Sequence, residues 1–360
     1  MAGPPMTRLG GGITRGTASD TVPGMTTAGA CRELGIVVGP GQAGPLNAIT
    51  DVTGVRVGHV TVRRGSRVNT GVTAVVPDQL GASRRALPCG LCVGNGFGKL
   101  VGATQLVELG AIETPIVLTA TLSAFRAADA LLTHMLARPG YEEVRTLNPV
   151  VGETNDGFLS DIRARPITEE HVLAALDGAT ADRPAEGCVG AGTGTAALGF
   201  KAGVGTSSRV VDAGGRSWTV GVLVQSNFSG TLTVQGVEVV PDVPAAASGR
   251  DGNSCMIVVA TDAPLDARRL GRVARRAVFA MGRVGADFAG GSGDYALAFT
   301  TAEPTVPLLD DADLDPLFAL TMDAVEEALL ASLLAATTTS GHRGTVHAVP
   351  HELVSRRGAR

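Results

Sequence analysis

The order of hydrophobic and polar residues predicts an alternation of strands and helices along most of the chain. Short alternating or continuous apolar runs are typical of strands, and apolar positions repeated every three or four residues are typical of amphipathic helices. The predicted strands are Val55–Val62, Val72–Val76, Pro115–Ala120, Trp218–Gln225, Leu232–Val239, Cys255–Ala260, Tyr295–Thr300 and Thr345–Val349. The predicted helices are Gly98–Leu109, Ser123–Leu136, Thr168–Leu176, a helix opened by Asp262 and Pro264, and Leu314–Ala336. This mixture favours sheets covered by helices.

A flexible segment ends where the most apolar strand begins. The chain from Pro241 to Asn253 is polar and rich in proline, alanine and glycine, which is typical of an exposed linker. Cys255–Ala260 follows as an uninterrupted apolar run, which predicts a strand buried on both faces. Ser254 is therefore expected at the mouth of a core strand.

The amino-acid composition limits the kinds of molecule that the protein is expected to bind. Apolar residues make up 44% of the 360 residues, which is enough for an extensive layered core. The 30 basic and 34 acidic residues give a formal charge of -4, and no Lys/Arg cluster is interleaved with aromatic residues. We therefore expect no nucleic-acid or membrane partner, and small molecules are better candidates. Residues 1–30 lack the apolar core of a signal peptide, so we expect a disordered extension on a cytoplasmic protein.

The cysteines predict neither a disulfide framework nor a metal site. There are five of them, an odd number, and they are widely separated, which favours a reducing compartment. Cys89 and Cys92 form a CxxC motif, but no second pair or neighbouring histidine completes a zinc site. We therefore predict no metal and no organic cofactor.

The segment Asp251-Gly252-Asn253-Ser254 has the residue types needed for intramolecular acyl transfer. The Ser254 hydroxyl could attack the Asn253 carbonyl to give an ester that water hydrolyses, and Gly252 permits the backbone angles that such an attack needs. The new α-amine, with a reference pKa of about 7.7 to 8, could then accept the hydroxyl proton near neutral pH. Taken alone, however, such a tetrapeptide before a strand is usually an ordinary turn.

Nine segments of the chain follow one another in an order typical of a known family. The segments are Gly44–His59, Asn95–Lys99 (NGFGK), Ile112–Thr119, Asn148–Gly157 (NPVVGETNDG), Gly190–Thr195, Gly221–Phe228 (GVLVQSNF), Asn253–Leu265, Gly291–Phe299 (GSGDYALAF) and Ala335–Gly341 (AATTTSG). In these segments the chain resembles the L-aminopeptidase/D-esterase family, which includes β-aminopeptidases. The resemblance extends from about Leu34 to Val349, so it is far more specific than any single motif.

The resemblance implies roles for particular residues. The precursor would be cut between Asn253 and Ser254 into an α chain, residues 31–253 after the extension, and a β chain, residues 254–360, that begins with the nucleophile. Asn227 matches an asparagine that helps to hold the oxyanion; the alternative is a loop asparagine that stabilises the turn from Asn227 to Gly230. Ser292 and Asp294 match a second serine and an acid that assist the nucleophile, although some relatives have Glu at the position of Asp294.

A further acid is expected to select the substrate. Glu153 matches the region in which the family binds the substrate ammonium group, and an exopeptidase needs a fixed anion there to recognise free amino termini. Read without the resemblance, Glu153 is a solvated loop acid. Cys255 adjoins the proposed nucleophile, and strand alternation should turn its thiol into the core.

The resemblance also implies the architecture and the substrate class. It implies an α+β fold of four αββα layers of the N-terminal-nucleophile-hydrolase type, and a homo-oligomer of αβ units, of which a tetramer is one possibility. It implies hydrolysis of short peptides, amides or esters of amino-terminal residues through an acyl-enzyme on Ser254. The alternatives are a related self-cleaving amidase or acyltransferase that acts on non-peptide amides, and an unprocessed homologue without activity.

Other enzyme classes fit the sequence poorly. The glycines of Gly190–Gly194 resemble a dinucleotide loop, but further glycines interrupt the helix that should follow, and Asn95–Lys99 lacks the remaining P-loop residues. The histidines near the carboxyl terminus come without the GxSxG motif of a His-based serine hydrolase. Nucleotide binding and a His-based triad are therefore disfavoured.

Overall fold

Two β-sheets stacked face to face form the centre of the molecule, and helices cover both outer faces. The computed structural model describes residues 29–241 and 253–355, so most of the predicted extension and linker lies outside the described residues. The strands are β1 (Val55–Arg64), β2 (Val68–Pro77), β3 (Leu87–Gly96), β4 (Ala111–Ile112), β5 (Ile116–Ala120), β6 (Val150–Thr154), β7 (Ala196–Ala197), β8 (Phe200–Lys201), β9 (Val204–Ala213), β10 (Arg216–Asn227), β11 (Thr233–Val234), β12 (Val237–Glu238), β13 (Asn253–Thr261), β14 (Ser292–Thr300), β15 (Thr339–Ser340) and β16 (Thr345–Val346). The helices are α1 (Ala30–Glu33), α2 (Ala103–Leu109), α3 (Ala124–Leu136), α4 (Glu169–Asp177), α5 (Ala267–Met281), α6 (Leu314–Leu334) and α7 (His351–Ser355). Of the helices in these described ranges, none is long and apolar enough to cross a membrane.

The strand order and the packing of the helices give four layers. One sheet has four strands in the order β1-β2-β5-β6, and the other has six in the order β4-β3-β14-β13-β10-β9. Helices α3 and α4 pack on the smaller sheet, and α5 and α6 pack on the larger one. One apolar cluster fills the space between the sheets, and two others lie beneath the helices. This arrangement confirms the α+β fold with an αββα sandwich.

Strand β13 lies inside the larger sheet and is buried on both faces, as its apolar run predicts. It runs antiparallel to β10 and parallel to β14. Met256, Val258 and Ala260 point between the sheets, whereas Cys255 and Ile257 point towards the helices. The Cys255 thiol is therefore turned into the core, which confirms the orientation expected from strand alternation.

Two predicted elements near the middle of the chain differ from the structure because of backbone turns. Helix α2 begins at Ala103 instead of Gly98, since Gly102 has a left-handed backbone with a φ of 89°. The predicted strand Leu232–Val239 is a hairpin of the two short strands β11 and β12, because the turn Gln235–Gly236 has positive φ angles of 49° and 78°. The chain before Gly102 is thus free to form a loop next to the sheets.

Two predicted elements in the last third of the chain are shorter in the structure. Helix α5 begins at Ala267 instead of near Asp262, because the Asp266 carboxylate accepts the amide hydrogen of Arg269 at 2.8 Å and caps the helix. The predicted strand Thr345–Val349 is reduced to the two residues of β16. Neither change affects the central strands.

Strands β3, β6 and β9 were not predicted, because their glycines obscure the apolar pattern. A Cβ on Gly90 of β3 would lie 2.0 Å from the backbone nitrogen of Gly271 in α5. A Cβ on Gly205 of β9 would lie 2.0 Å from the carbonyl oxygen of Ala328 in α6. Glycine within a strand often marks such a close approach of another backbone. These glycines let both helices pack tightly on the larger sheet.

Candidate active site

The hydroxyl of Ser254 lies against the carbonyl group that precedes it. Asn253 and Ser254 are the first residues of β13 and are only 5% and 3% exposed. Oγ of Ser254 donates a hydrogen bond to the carbonyl oxygen of Asn253 at 2.5 Å. A hydroxyl held beside a carbonyl group needs little movement to reach the carbonyl carbon. The structure therefore brings together the two groups on which the predicted self-cleavage depends.

Asn227 lies directly opposite Ser254. It is the last residue of β10, and the register of β10 and β13 pairs the two residues. Oδ1 of Asn227 accepts the amide hydrogen of Ala196 at 3.1 Å. Because only the amide oxygen can accept this hydrogen, Nδ2 is left as the donating end of the side chain. Within the part of the chain that the structure describes, the Asn227 side chain makes no hydrogen bond to the turn that ends at Gly230.

Ser292 and Asp294 form a hydrogen-bonded pair at the start of β14. Oγ of Ser292 donates to Oδ1 of Asp294 at 2.7 Å, and the Asp294 side chain is completely buried. Oδ2 of Asp294 has no hydrogen-bond partner among the described residues. Burial raises the pKa of Asp294 to about 6, and the charge of Asp287 adds to this effect, while hydrogen bonds from Ser292 and from the Cys255 amide oppose it.

The register of β13 and β14 determines how this pair meets Ser254. Ser254 is paired with Gly293, whereas Ser292 and Asp294 are paired with Asn253 and Cys255. Two residues that are paired across neighbouring strands point to the same face of the sheet, and successive residues along one strand alternate between the faces. The Ser292 and Asp294 side chains therefore lie on the face opposite to the Ser254 side chain. Asp294 comes nearest to the nucleophile at the main-chain amide of Cys255, the residue after Ser254, which lies close enough to lower the pKa of its carboxyl group.

Glu153 is a buried acid at the end of β6, in the smaller sheet. Only 2% of it is exposed, so it is not a solvated loop acid. Oε1 accepts the main-chain amide hydrogen of Lys99 at 2.8 Å, and Oε2 accepts the hydroxyl hydrogen of Thr121. Each carboxylate oxygen can accept a second hydrogen, so the group retains capacity to bind a ligand. Its position is determined by two donors from different loops.

Gly98 lies between Glu153 and strand β14, the strand that is paired with Ser254. A Cβ on Gly98 would lie 3.3 Å from Oε1 of Glu153, 3.0 Å from Cα of Gly293 and 2.8 Å from the Tyr295 ring. The Tyr295 hydroxyl donates to the carbonyl oxygen of Gly98 at 2.9 Å. Since Gly293 is the register partner of Ser254, the loop Asn95–Lys99 brings the acid of one sheet to the nucleophile of the other.

Facing residues of the two sheets confirm that β6 crosses the ends of β10 and β13. A Cβ on Gly152 would lie 2.4 Å from Cε of Met256. Nε2 of Gln225 donates to Oγ1 of Thr154 at 2.7 Å. Gln225 and Met256 each stand two residues from a residue of the candidate site, Asn227 and Ser254 respectively. All five residues predicted from the sequence therefore lie at one corner of the sandwich, although the side chains of two of them, Ser292 and Asp294, lie on the helix-facing side of the larger sheet. We call this region the nucleophile corner: Ser254, Asn227, Ser292, Asp294 and Glu153.

Several residues of this corner were not singled out from the sequence. They are Gly98, Gly293, Tyr295, Thr121 and Asp156. Asp156 is buried, both of its carboxylate oxygens lack partners among the described residues, and burial raises its pKa to about 7. The glycines of the NGFGK and GSGD segments could have indicated that these two segments meet, because glycine at a strand end permits close contact between backbones.

The nucleophile corner is closed to solvent in this structure. Two open clefts, of about 430 and 380 Å³, lie on other surfaces, one beside the β9–β10 hairpin and one between α2 and α5. Neither is lined by a residue of the corner. Since Ser254, Asn227 and Glu153 are each at most 6% exposed, access of a substrate to Ser254 requires a local change around these residues.

A peptidase family model and an aminopeptidase match this chain in sequence. The model of Peptidase family S58 matches residues 47–347, which include every residue of the nucleophile corner. A beta-peptidyl aminopeptidase from Sphingosinicella xenopeptidilytica is 39% identical over 363 residues, and the match covers 90% of each chain.

Solved structures of similar proteins share the fold. The L-aminopeptidase D-Ala-esterase/amidase of Ochrobactrum anthropi, a variant of the N-terminal-nucleophile hydrolase fold, superposes with a TM-score of 0.81 at 36% identity, covering 92% of this chain and 99% of that one. A protein from Pyrococcus horikoshii superposes with a TM-score of 0.84 at 43% identity, covering 91% and 97%. With a sequence match across nearly the whole chain and the shared N-terminal-nucleophile hydrolase fold, this chain belongs to Peptidase family S58.

Proposed function

We propose that the chain cuts itself between Asn253 and Ser254 and then works as an aminopeptidase with Ser254 as its nucleophile. As a member of a peptidase family with the N-terminal-nucleophile fold, it is a serine hydrolase that acts on peptide bonds. The observation that supports this choice of bond is the position of the Ser254 hydroxyl, 2.5 Å from the carbonyl oxygen of Asn253 at the start of a central strand.

Self-cleavage follows from this geometry in two steps. Oγ of Ser254 attacks the carbonyl carbon of Asn253, the C–N bond breaks, and the Asn253 acyl group is carried as an ester on Ser254. Water then hydrolyses the ester and leaves a carboxylate on Asn253 and a free α-amine on Ser254. Release of the new carboxyl end also supplies the local change that opens the buried corner to substrates.

The free α-amine makes Ser254 its own general base. With a reference pKa of about 7.7 to 8, it takes the proton from the hydroxyl as Oγ attacks the substrate carbonyl. Nδ2 of Asn227, whose other amide end is held by Ala196, donates to the developing oxyanion. Asp294, oriented by Ser292, lies near the main-chain amide of Cys255, the residue after Ser254, and stabilises the protonated amine in this proposal. Ser292 and Asp294 are therefore positioning residues in this proposal.

Glu153 makes the enzyme an exopeptidase in this proposal. Its buried carboxylate is held by the Lys99 amide and the Thr121 hydroxyl and retains capacity for an ammonium group. A substrate whose free amino group binds there places its first carbonyl near Ser254. The names of the relatives, a beta-peptidyl aminopeptidase and an L-aminopeptidase D-Ala-esterase/amidase, support short peptides, amides or esters with a free amino terminus as substrates.

The proposal extends to assembly and location. We infer a homo-oligomer of cleaved αβ units in the cytoplasm. Large apolar side chains that are well exposed on one chain support the assembly, because a second copy could cover them. The most exposed examples are Phe97, Val107, Leu109 and Phe125, each 63% to 69% exposed.

Replacement of the nucleophile tests the proposed function most directly. Ser254→Ala should remain one chain by intact mass spectrometry and should not hydrolyse alanine or β-alanine p-nitroanilide, because no hydroxyl remains to attack either carbonyl. Ser217→Ala, at the far end of β10, is the matched control and should be cut and active. A Ser254→Ala protein that is still cut and active contradicts the proposal, and a wild-type protein that is neither cut nor active points to a non-catalytic homologue.

Asn227→Ala should lower kcat by about 100- to 1,000-fold with a smaller change in KM, since the oxyanion donor acts in the transition state. Steady-state kinetics on alanine p-nitroanilide give both constants, and thermal unfolding reports stability. A purely structural asparagine would instead lower the melting temperature while the kinetics of the folded fraction stayed normal.

Glu153→Gln should raise KM for alanine p-nitroanilide by about 10- to 100-fold, because a charge-assisted hydrogen bond to the substrate ammonium is lost. The same variant should discriminate less against the N-acetylated substrate. Assays on the free and acetylated substrates measure both effects. Unchanged preference for the free amine would show that another group binds the amino terminus.

The pH dependence of kcat/KM should report Asp294. Its carboxyl pKa is raised to about 6, so the group is charged above that pH and neutral below it. Protonation of the Ser254 amine, which is the general base, already lowers activity below a pH of about 7.7 to 8. A second acidic limb should follow as the pH drops through about 6, and Asp294→Asn should lose this second limb together with most of its activity. Asp287 is exposed and helps to raise this pKa, so Asp287→Asn should keep full activity and move the second limb to lower pH. An identical second limb in Asp294→Asn contradicts the assignment.

A further inference from the structure

The peptide unit between Gly98 and Lys99 is hydrogen-bonded at both of its ends. The Tyr295 hydroxyl donates to the carbonyl oxygen of Gly98 at 2.9 Å. The main-chain amide of Lys99 donates to Oε1 of Glu153 at 2.8 Å. The carbonyl and the N–H group of a planar trans peptide unit point in opposite directions, so the two side chains bind this unit from opposite sides. Each hydrogen bond polarises the unit in the sense that strengthens the other.

The two side chains that bind this peptide unit belong to different sheets. Tyr295 is in β14 of the larger sheet, where it is paired with Met256 of β13. Its side chain points between the sheets, on the same face as the Ser254 side chain. Glu153 is in β6 of the smaller sheet. The peptide unit therefore connects the strand beside the nucleophile to the acid that binds the substrate amine in the proposed function.

The loop around this peptide unit is attached to β14 by further main-chain contacts. Nδ2 of Asn95 donates to the carbonyl oxygen of Ser292 at 2.6 Å, and the amide of Phe97 donates to the same oxygen at 3.2 Å. The loop has little room to shift, because a Cβ on Gly98 would lie 3.0 Å from Cα of Gly293. These contacts keep the amide that reaches the acid at a fixed distance from the strand beside the nucleophile.

We propose that Tyr295 is a positioning residue that determines which substrates the enzyme prefers. By holding the Gly98 carbonyl, its hydroxyl keeps the Lys99 amide against Glu153 and so fixes the distance from this carboxylate to Ser254. The number of carbon atoms between the amino group and the carbonyl group of a substrate must match that distance, so the enzyme distinguishes α-amino from β-amino substrates. This inference rests on the proposed function, in which Glu153 binds the amine and Ser254 attacks the carbonyl.

The hydroxyl of Tyr295 can be removed without removing its ring contacts. The residue is only 6% exposed, and a Cβ on Gly98 or on Gly293 would lie 2.8 or 3.2 Å from its ring. Burial raises the pKa of the Tyr295 phenol, and the charge of Glu153 adds to this effect, so the group remains a donor at neutral pH. Phenylalanine therefore keeps the packing and loses one hydrogen bond.

Tyr295→Phe tests the inference on the full-length protein. The preference between alanine and β-alanine p-nitroanilide, measured as the ratio of their kcat/KM values, should fall by about 3- to 10-fold, mainly through KM. The protein should still be cut before Ser254, because self-cleavage needs no substrate amine. In the Glu153→Gln background the same substitution should have little further effect, since Tyr295 acts through Glu153.

Tyr141→Phe is the matched control for this substitution. Tyr141 is also buried, and its hydroxyl has no hydrogen-bond partner among the described residues. It packs in the cluster beneath α3 and α4, so its replacement should leave the substrate preference unchanged. Thr121→Val is a second test, because it removes the other donor to Glu153 and should also weaken the preference.

The outcomes separate this inference from the proposed function. A cut, active Tyr295→Phe protein with the wild-type preference would overturn the inference alone, and so would a wild-type protein that does not distinguish the two substrates. An equal loss of kcat on both substrates would also overturn it, since the tyrosine would then act on the nucleophile. If Tyr295→Phe does not fold, an unchanged preference in Thr121→Val overturns the inference. A wild-type protein that is neither cut nor active would overturn the proposed function and the inference with it.

Discussion

The insertion of β13 between β10 and β14 is the constraint on which the candidate active site depends. The register with β10 places Asn227 opposite Ser254, and the register with β14 places Gly293 on its other side. Side chains alternate along a strand, so a slip of one residue in either pairing would send the Ser254 hydroxyl to the helix-facing side. The burial of Met256 and Val258 on one face and of Ile257 on the other opposes such a slip. The hydrophobic pattern that builds the core therefore also determines the face to which the Ser254 side chain points.

Glycines determine how closely the two sheets meet at the nucleophile corner. Gly98, Gly152 and Gly293 each stand where a Cβ would lie within 3.0 Å of a neighbouring atom, and for Gly293 that atom is Cα of Gly98. Without these glycines the loop Asn95–Lys99 could not lie between Glu153 and β14. The low aromatic content of the chain, 3%, is consistent with layers that approach at short distances.

The sequence predicts those parts of the molecule in which local pattern and tertiary burial agree. The apolar run Cys255–Ala260 and the periodic helix Leu314–Ala336 correspond closely to β13 and α6. Strands β3, β6 and β9 could not be found from periodicity, because Gly90 and Gly205 are required by contacts with distant backbones and Gly152 by contact with the Met256 side chain. The ends of α2 and α5 depend on a left-handed glycine and on an aspartate cap, which apolar patterns do not report.

For the candidate site, the family resemblance identified the residues but not how they meet. Ser292 and Asp294 lie on one side of β14, as alternation requires, but their side chains and that of Ser254 are on opposite faces of the sheet. That relation depends on the register between two strands and is not encoded in either strand alone. The donors to Glu153, from Lys99 and Thr121, come from loops that are distant in sequence and meet only in the folded chain.

The position of β13 has a consequence for how the cleaved protein unfolds. Its second residue, Ser254, would start a separate polypeptide after cleavage, yet β13 remains hydrogen-bonded to β10 of the preceding chain, and β14 remains paired with β3. The larger sheet would then be shared by two molecules, and neither would retain a complete core. Unfolding of the mature form would become a dissociation, so that its apparent stability would rise with protein concentration and refolding from separated chains would be a second-order process.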